Sequence, residues 1–264
     1  MTAIERLQSG SPESEIKESR QSVAEMPETE PSTTAQSRVH SIFSTIANRY
    51  DLFNALASLG IHKRWLRQMV RQAQATPQTE MLDVAAGTGD VSYAVARFSP
   101  PAKIVLSDFN AEMLSVAKRR LEAGEACGVP IELKEVDGQD LSFADCSFDL
   151  VTCAYGIRNM PDRLTALREA HRVLRPGGRY VVLEFSTPPN PIFKTLYHIY
   201  LKAVIPFIGG ILTKDRQGFV YLNDSIRAFP AQDEFAAMLS EAGFSQVSYR
   251  NLTGGIVAVH TAVK

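Results

Sequence analysis

Short apolar runs alternate with segments of helical periodicity over most of the chain beyond residue 80. The runs predict strands at 81–86, 103–108, 131–136, 148–154 and 179–185. The segments between them, with apolar positions every three to four residues, predict helices at 90–98, 110–123 and 162–173. This alternation predicts an α/β fold with a doubly wound, mostly parallel sheet and helices on both of its faces.

The two ends of the alternating region predict further elements. Toward the C-terminus, a helix at 231–242 precedes strands at 246–251 and 256–263, which brings the predicted sheet to seven strands. Ahead of the first strand, amphipathic segments predict N-terminal helices that could cover the mouth of a site, at 39–47, 51–59 and 63–70.

A glycine turn between the first strand and its helix is the strongest chemical feature. The stretch reads Asp83-Val-Ala-Ala-Gly87-Thr88-Gly89. A side chain at Gly87 or Gly89 would occupy space that a ligand needs, and the free N–H groups of the helix face that ligand. The second strand ends in Asp108, whose carboxylate can bond both hydroxyls of a ribose. These features predict an adenosine-cofactor site at the carboxyl edge of the sheet.

The sixth position of this turn separates two classes of cofactor. A dinucleotide-binding fingerprint reads Gly-x-Gly-x-x-Gly or Gly-x-Gly-x-x-Ala. Counted from Gly87, the sixth position of this chain is Ser92. The Asp-x-x-x-Gly-x-Gly spacing, with an acid closing the next strand, instead resembles motifs I and II of the class I S-adenosylmethionine (SAM) methyltransferases. The chain also lacks a Tyr-x-x-x-Lys pair near the crevice, which disfavours a nicotinamide oxidoreductase. We therefore expect SAM as the cofactor.

Residues after the third and fourth strands extend the candidate site. Asp137 and Gly138 follow the third strand, where the carboxylate either bonds the adenine amino group or serves as a turn residue. The fourth strand is followed by Tyr155-Gly-Ile-Arg158-Asn159. Arg158 could be a surface arginine and Asn159 a helix cap, but their position at the topological switch point favours a role in the site.

Composition and charge narrow the classes of partner. The chain has 264 residues and 45% hydrophobic content, enough for one domain with a sizeable core. With 28 Lys and Arg against 29 Asp and Glu, the formal net charge of −1 gives no electrostatic footprint for nucleic acid. The three cysteines form no Cys-x-x-Cys pair, and we expect neither a disulfide framework nor a metal site.

The N-terminal segment differs from the rest of the chain in composition. Residues 1–36 are rich in Glu, Ser, Thr and Pro and poor in large apolar residues, which predicts a disordered acidic tail ahead of a domain at 37–264. We expect no membrane-spanning segment, because lysine, histidine and proline interrupt the most apolar window at 192–212.

Several motifs outside the glycine turn resemble one family. They are Phe43-x-x-Ile-Ala-x-Arg-Tyr50-Asp51-x-x-Asn54, Ser58-x-Gly-Ile-His62-x-x-Trp65, Tyr155-Gly-Ile-Arg158-Asn159, Arg172-Val-Leu-Arg-Pro-Gly-Gly, Leu183-Glu-Phe-Ser186, Tyr221-Leu-x-x-Ser225-Ile-Arg227-x-Phe-Pro230-x-Gln232 and Leu252-Thr-Gly-Gly-Ile-Val-Ala. They look like the quinone-biosynthesis C-methyltransferases of the UbiE/MenG type, from about residue 38 to the C-terminus. Many members have serine where this chain has Ala154, so a contact of Ala154 with SAM is expected through its backbone.

The resemblance implies methyl transfer from SAM to a ring carbon of a prenylated quinol, most simply demethylmenaquinol. A polyprenyl methoxy-benzoquinol of ubiquinone biosynthesis is the alternative, alone or as a second substrate, and the motifs do not separate the two. The ring carbon becomes nucleophilic as the neighbouring hydroxyl loses its proton, so the enzyme must stabilise phenolate charge. We predict this role for Arg158, with Asn159 and Tyr155 orienting the quinol. Candidates for the general base stay open: Tyr50, Asp51, His62, His198 or a water.

A prenyl tail needs an apolar slot, for which the insert after the fifth strand, at 192–212, is the predicted element. Its apolar residues recur at helical spacing, and Lys194 and Lys202 could reach lipid headgroups. The alternative is a helix of the core or of a dimer interface. We expect a cytoplasmic protein in peripheral contact with the inner membrane surface, and a homodimer stays open.

Overall fold

The computed structural model describes residue 58 and residues 60–204 and 216–264 of the chain. Several predictions lie outside the described residues. They are the disordered tail at 1–36, the helix at 39–47, nearly all of the helix at 51–59, Tyr50, Asp51 and the insert beyond 204.

Seven strands form one sheet within the described part of the chain. They are β1 (Glu80–Val84), β2 (Lys103–Asp108), β3 (Ile131–Glu135), β4 (Phe148–Ala154), β5 (Leu174–Phe185), β6 (Ser245–Leu252) and β7 (Val257–Val263). Their order is β3-β2-β1-β4-β5-β7-β6, with β1 to β5 parallel and β7 antiparallel to both of its neighbours. The predicted mostly parallel seven-stranded sheet is confirmed. Strand β5 begins earlier than predicted, because Leu174 pairs with Phe148 before a register shift.

The described helices cover both faces of this sheet. They are α1 (His62–Ala73), α2 (Asp90–Phe98), α3 (Ala111–Glu122), α4 (Arg163–Val173), α5 (Pro191–Ile199), α6 (Arg216–Arg227) and α7 (Gln232–Glu241). The side chain of Asn110 accepts a hydrogen bond from the N–H of Met113 at 3.0 Å and so caps the N-terminus of α3. The helical insert is confirmed as α5 and continues as a π-helical turn over Tyr200–Val204. The sequence analysis did not predict α6.

The core lies in two layers, one on each face of the sheet. Met69 of α1 and Val95 of α2 are fully buried on one face, and Leu167 of α4 and Phe235 of α7 on the other. Burial on both faces explains why the central strands read as continuous apolar runs. The strand order reverses between β1 and β4, so their carboxyl ends border the crevice in which such folds bind ligands.

Candidate active site

An open cleft of about 1170 Å³ lies over the carboxyl ends of β1, β2, β3 and β4. Its walls come from the segments that follow these strands, at 85–88, 108–110, 136–139 and 154–156. The cleft brings together most of the predicted site residues: Asp83, Gly87, Thr88, Asp108, Asp137, Gly138, Ala154, Tyr155 and Asn159. Gly89 and Arg158 are not in its walls.

Asp108 joins the first two loops of the cleft. One oxygen of its carboxylate accepts a hydrogen bond from the N–H of Gly87 at 2.8 Å, and the other accepts one from the N–H of Asn110 at 2.9 Å. These backbone donors hold the carboxylate at the end of β2, in the wall of the cleft. Asp108 therefore fits the role of binding two ribose hydroxyls.

Asp83 lies under the glycine turn and is fully buried. Ser92 donates to its carboxylate from the backbone N–H at 3.1 Å and from the hydroxyl at 2.7 Å, and Thr152 donates its hydroxyl at 2.7 Å. Burial raises the pKa of Asp83 to about 6, although these hydrogen bonds act to lower it. The serine that departs from the dinucleotide fingerprint thus anchors the acid of the turn.

The surroundings of the two glycines of the turn differ. A Cβ added to Gly87 would meet no atom within 4 Å, which fits the expectation that a ligand approaches there. A Cβ added to Gly89 would lie 2.6 Å from the ring of Tyr93 and 2.8 Å from Leu106. The expectation that a side chain at Gly89 would occupy ligand space is therefore wrong, since it would meet the core between α2 and β2.

Replacement of Gly89 by alanine is expected to destabilise the protein more than replacement of Gly87. Both residues have positive φ angles, +57° at Gly87 and +91° at Gly89, so each variant loses about 1–2 kcal/mol to backbone strain. Gly89→Ala adds overpacking of roughly 1–3 kcal/mol. The measurement is the free energy of unfolding in denaturant, and equal losses in the two variants would contradict this account.

The remaining predicted cofactor residues are held by the protein itself. Thr88 is buried, and its carbonyl accepts a hydrogen bond from the guanidinium of Arg120 at 3.0 Å. Asp137 accepts a hydrogen bond from the N–H of Gln139 at 2.9 Å, as a turn residue does, while its side chain still borders the cleft. Gly138 allows close packing, because a Cβ there would lie 2.6 Å from Met160.

The turn after β4 has a strained backbone that buried polar groups hold in place. Tyr155 has a φ of +55°, a left-handed conformation that residues other than glycine rarely adopt. Its carbonyl accepts hydrogen bonds from the guanidinium of Arg158 and, at 3.2 Å, from the amide of Asn159. Arg158 also pairs with Glu184 at 2.8 Å, and the two side chains are only 5% and 1% exposed.

This ion pair bears on the role predicted for Arg158, because it shows where the guanidinium lies and what balances its charge. The Glu184 carboxylate balances its charge, and the pair lies behind the turn rather than in the wall of the cleft. Burial raises the pKa of Glu184, and the neighbouring guanidinium opposes that rise. The sequence analysis quoted Glu184 only within a motif. The missed signal was a lone acid in an apolar strand, which requires a buried partner.

An apolar cavity of about 920 Å³ adjoins the cleft. Its walls come from α1, α5 with the π-helical turn that continues it, α6, the end of β5 and the turn between β6 and β7. Two aromatic rings lie between the spaces: Tyr155 borders the cleft, Phe185 borders the cavity, and their ring centroids are 5.0 Å apart. The hydroxyl of Ser58, at the cavity, lies 2.8 Å from Nδ1 of His62, at the cleft.

Other features of the site were not predicted. Phe109 directly follows the ribose-binding acid, borders the cleft and is partly exposed, which suits a stacking surface. Its position next to Asp108 was the signal that could have identified it. Of the candidate bases, His62 borders the cleft and His198 borders neither space. The described ranges contain no cluster of metal-ligating side chains and no helix long and apolar enough to cross a bilayer.

Residues 32–264 match the model of the ubiE/COQ5 methyltransferase family. The chain is similar to a ubiquinone/menaquinone biosynthesis C-methyltransferase UbiE of Hahella chejuensis, with 42% identity over 89% of this chain and 94% of that protein. It is also similar to a UbiE of Dinoroseobacter shibae, with 43% identity over 86% of this chain and 90% of that protein. A SAM-dependent methyltransferase structure from Aquifex aeolicus matches with a TM-score of 0.54 and 14% identity, over 75% of this chain and 88% of that one. This last likeness concerns the fold, which is that of class I methyltransferases.

Proposed function

The chain belongs to the ubiE/COQ5 methyltransferase family, and from that premise we propose that it methylates a ring carbon of a polyprenyl quinol. Its methyl donor is SAM. The substrate we propose is demethylmenaquinol. A polyprenyl methoxy-benzoquinol is the alternative, since the names of the relatives cover both ubiquinone and menaquinone. The observation that carries the proposal is the apolar cavity beside the cleft.

The residues of the cleft fit SAM. When bound, SAM supplies a methyl group that is already electrophilic. Asp108 would hold the ribose, and the segment from Asp137 to Gln139, together with Phe109, would hold the adenine. The open space at Gly87 admits a ligand against the backbone.

The turn after β4 carries the residues that we propose to orient the quinol. Tyr155 and Asn159 border the cleft, and the hydroxyl of Tyr221 donates a hydrogen bond to the Asn159 side chain at 3.0 Å. Arg158 lines neither space and is paired with Glu184, so we propose that it stabilises phenolate charge from behind the turn rather than by direct contact. Its guanidinium lies 5.4 Å from the ring centroid of Phe185, at the boundary between the two spaces.

The cavity is the proposed site of the prenyl tail, and α5 forms one of its walls. Phe193 lies on the cavity side of this helix. On its outer side, Ile192 and Ile199 are 74% and 57% exposed and lie two helical turns apart; Leu196 between them lines the cavity and is also 58% exposed. We propose that this outer face contacts the membrane from the cytoplasmic side, with Lys194 and Lys202 near the headgroups.

Purified protein with SAM is expected to methylate demethylmenaquinol, and long-chain substrates should depend on the cavity. Phe193→Glu places a charge in its wall. Burial of each methylene group contributes about 0.8 kcal/mol. If the charge prevents burial of two methylenes of the tail, kcat/KM for a long-chain quinol falls about tenfold. A tail-free quinol should lose less than about threefold. The measurement is the product mass and rate for naphthoquinols and methoxy-benzoquinols, with and without tails.

Ile192→Glu is the matched control, because it changes the exposed face of the same helix. It should reduce association with liposomes and leave turnover of the tail-free quinol unchanged. Equal losses on long-chain and tail-free substrates in Phe193→Glu would make α5 a packing helix and place the tail elsewhere. Methylation of the benzoquinol alone would select the alternative substrate.

A further inference from the structure

Tyr197 of α5 presents a buried polar group in otherwise apolar surroundings. The residue is 5% exposed and lines the apolar cavity. Its hydroxyl has no hydrogen-bond partner among the residues that the structure describes. A buried hydroxyl without a partner is costly, so native proteins almost always satisfy it with protein, water or ligand.

Other buried polar groups of the protein, inside and outside this cavity, do have a hydrogen-bond partner. The indole N–H of Trp65, in the same cavity wall, donates to the Thr253 hydroxyl at 2.7 Å. The hydroxyl of Tyr93, buried beside α3, donates to the carbonyl of Ala117. Other buried polar atoms without a described partner exist, but none of their residues lines this cavity.

The position of Tyr197 within the cavity points to the ring end of a bound quinol. Tyr197 belongs to a buried cluster that packs against Phe185. The ring of Phe185 in turn packs at a tilt against the ring of Tyr155 at the edge of the cofactor cleft. A ring that receives a methyl group from the cleft must lie close to this boundary, whereas a tail extends away from it.

The charge state of Tyr197 decides what kind of partner it can take. Burial raises the pKa of its phenol, and the nearby Arg158 guanidinium opposes that rise while Glu184 reinforces it. The hydroxyl therefore stays protonated at neutral pH and offers an O–H donor. An acceptor oxygen on an otherwise apolar molecule would satisfy this donor and match the cavity around it.

We propose that Tyr197 positions the substrate by donating a hydrogen bond to a ring oxygen of the quinol held in the apolar cavity. This inference rests on the proposed function and adds a positioning residue for the ring. Both oxygens of a quinol ring accept hydrogen bonds, in the neutral form and more strongly as the phenolate. The same donor would hold a quinone carbonyl.

The single tryptophan of the chain makes the proposal measurable without turnover. Trp65 lines the same cavity, so a quinone bound there should quench its fluorescence. The probe is 2,3-dimethyl-1,4-naphthoquinone, whose blocked ring positions prevent addition of the exposed Cys127 and Cys146. Its hydrocarbon counterpart, 2,3-dimethylnaphthalene, is measured by competition and lacks both oxygens.

Tyr197→Phe is expected to weaken binding of the quinone roughly three- to tenfold, the range of one net hydrogen bond, and to leave the hydrocarbon unchanged. The value of kcat/KM for a tail-free quinol should fall by a similar factor, with the KM for SAM unaffected. Tyr93→Phe, which removes a buried phenol outside the cavity, is the control and should bind the quinone as wild type does. Melting curves verify that both variants are folded.

Equal weakening of quinone and hydrocarbon, or no change in either, would overturn the role of Tyr197 and leave the proposed function intact. If the wild-type protein neither binds the quinone nor methylates a quinol, the proposed function fails and this inference fails with it.

Discussion

Replacement of Arg158 by methionine is expected to lower both the stability of the protein and its turnover. The variant leaves the Glu184 carboxylate buried without its cation, which typically costs about 3–5 kcal/mol. It also removes one donor to the carbonyl of the strained Tyr155 and the charge that we assign to phenolate stabilisation. Loss of a donor in direct contact with an oxyanion lowers turnover by roughly two to three orders of magnitude, which is the upper bound for a guanidinium that lines neither space. Unfolding in denaturant and single-turnover methyl transfer measure the two effects separately.

A double variant separates the structural from the chemical contribution. Arg158→Met with Glu184→Leu removes both charges, and because two apolar residues replace a buried pair, most of the lost stability should return. Turnover should stay low. Recovery of both quantities would show that Arg158 has no chemical role. Lys103→Met is the control: its pair with Glu132 has the same 2.8 Å separation but is exposed, so less than about 1 kcal/mol should be lost.

The second large effect is expected from Asp108→Ala, which should weaken SAM binding at least about 100-fold. Two charge-assisted hydrogen bonds to a ribose contribute roughly 1.5–3 kcal/mol each. The carboxylate also joins the loops after β1 and β2 through the N–H groups of Gly87 and Asn110. Calorimetry with SAM and with S-adenosylhomocysteine measures the affinity, and the melting temperature of the unliganded variant shows whether the loops are still held.

Asp137→Ala serves as its counterpart on the neighbouring loop. This carboxylate accepts hydrogen bonds from Gln139 within its own turn, so its loss should weaken SAM binding much less, by under about tenfold. If Asp108→Ala binds SAM as wild type does, the ribose is held elsewhere in the cleft. If Asp137→Ala has the larger effect, the adenine contact dominates recognition.

The central part of the fold could be predicted because its signals are local. Apolar runs, glycine turns and caps such as Asn110 lie within a few residues of the elements that they define. Parallel connectivity then brings the ends of β1, β2 and β4 to one edge, so the predicted cleft residues follow from the order of elements. The helix α6 was missed because its sequence was read only as a family motif.

Contacts between distant segments could not be predicted in this way. Glu184 lies in β5 and pairs with Arg158 of the turn after β4. The two residues meet only when β5 lies beside β4 in the sheet. Gly89 was predicted to face a ligand, but the ring of Tyr93 leaves no space there for a side chain. The position of that ring is set by packing in the core, which the local sequence pattern does not show. The cavity likewise requires α1, α5 and α6 to meet, which no single segment of sequence specifies.

The protonation of Asp83 couples ligand binding in the cleft to pH. Its pKa in the folded protein, about 6, lies above the ordinary value of 3.8, so its protonation favours the folded state, and this contribution is lost as pH rises through about 6. A sulfonium bound in the cleft has the opposite preference, because a positive charge nearby stabilises the ionised carboxylate. The proton on Asp83 and the SAM in the cleft therefore oppose each other, although they bind at different atoms. Each lowers the affinity of the protein for the other by the same factor.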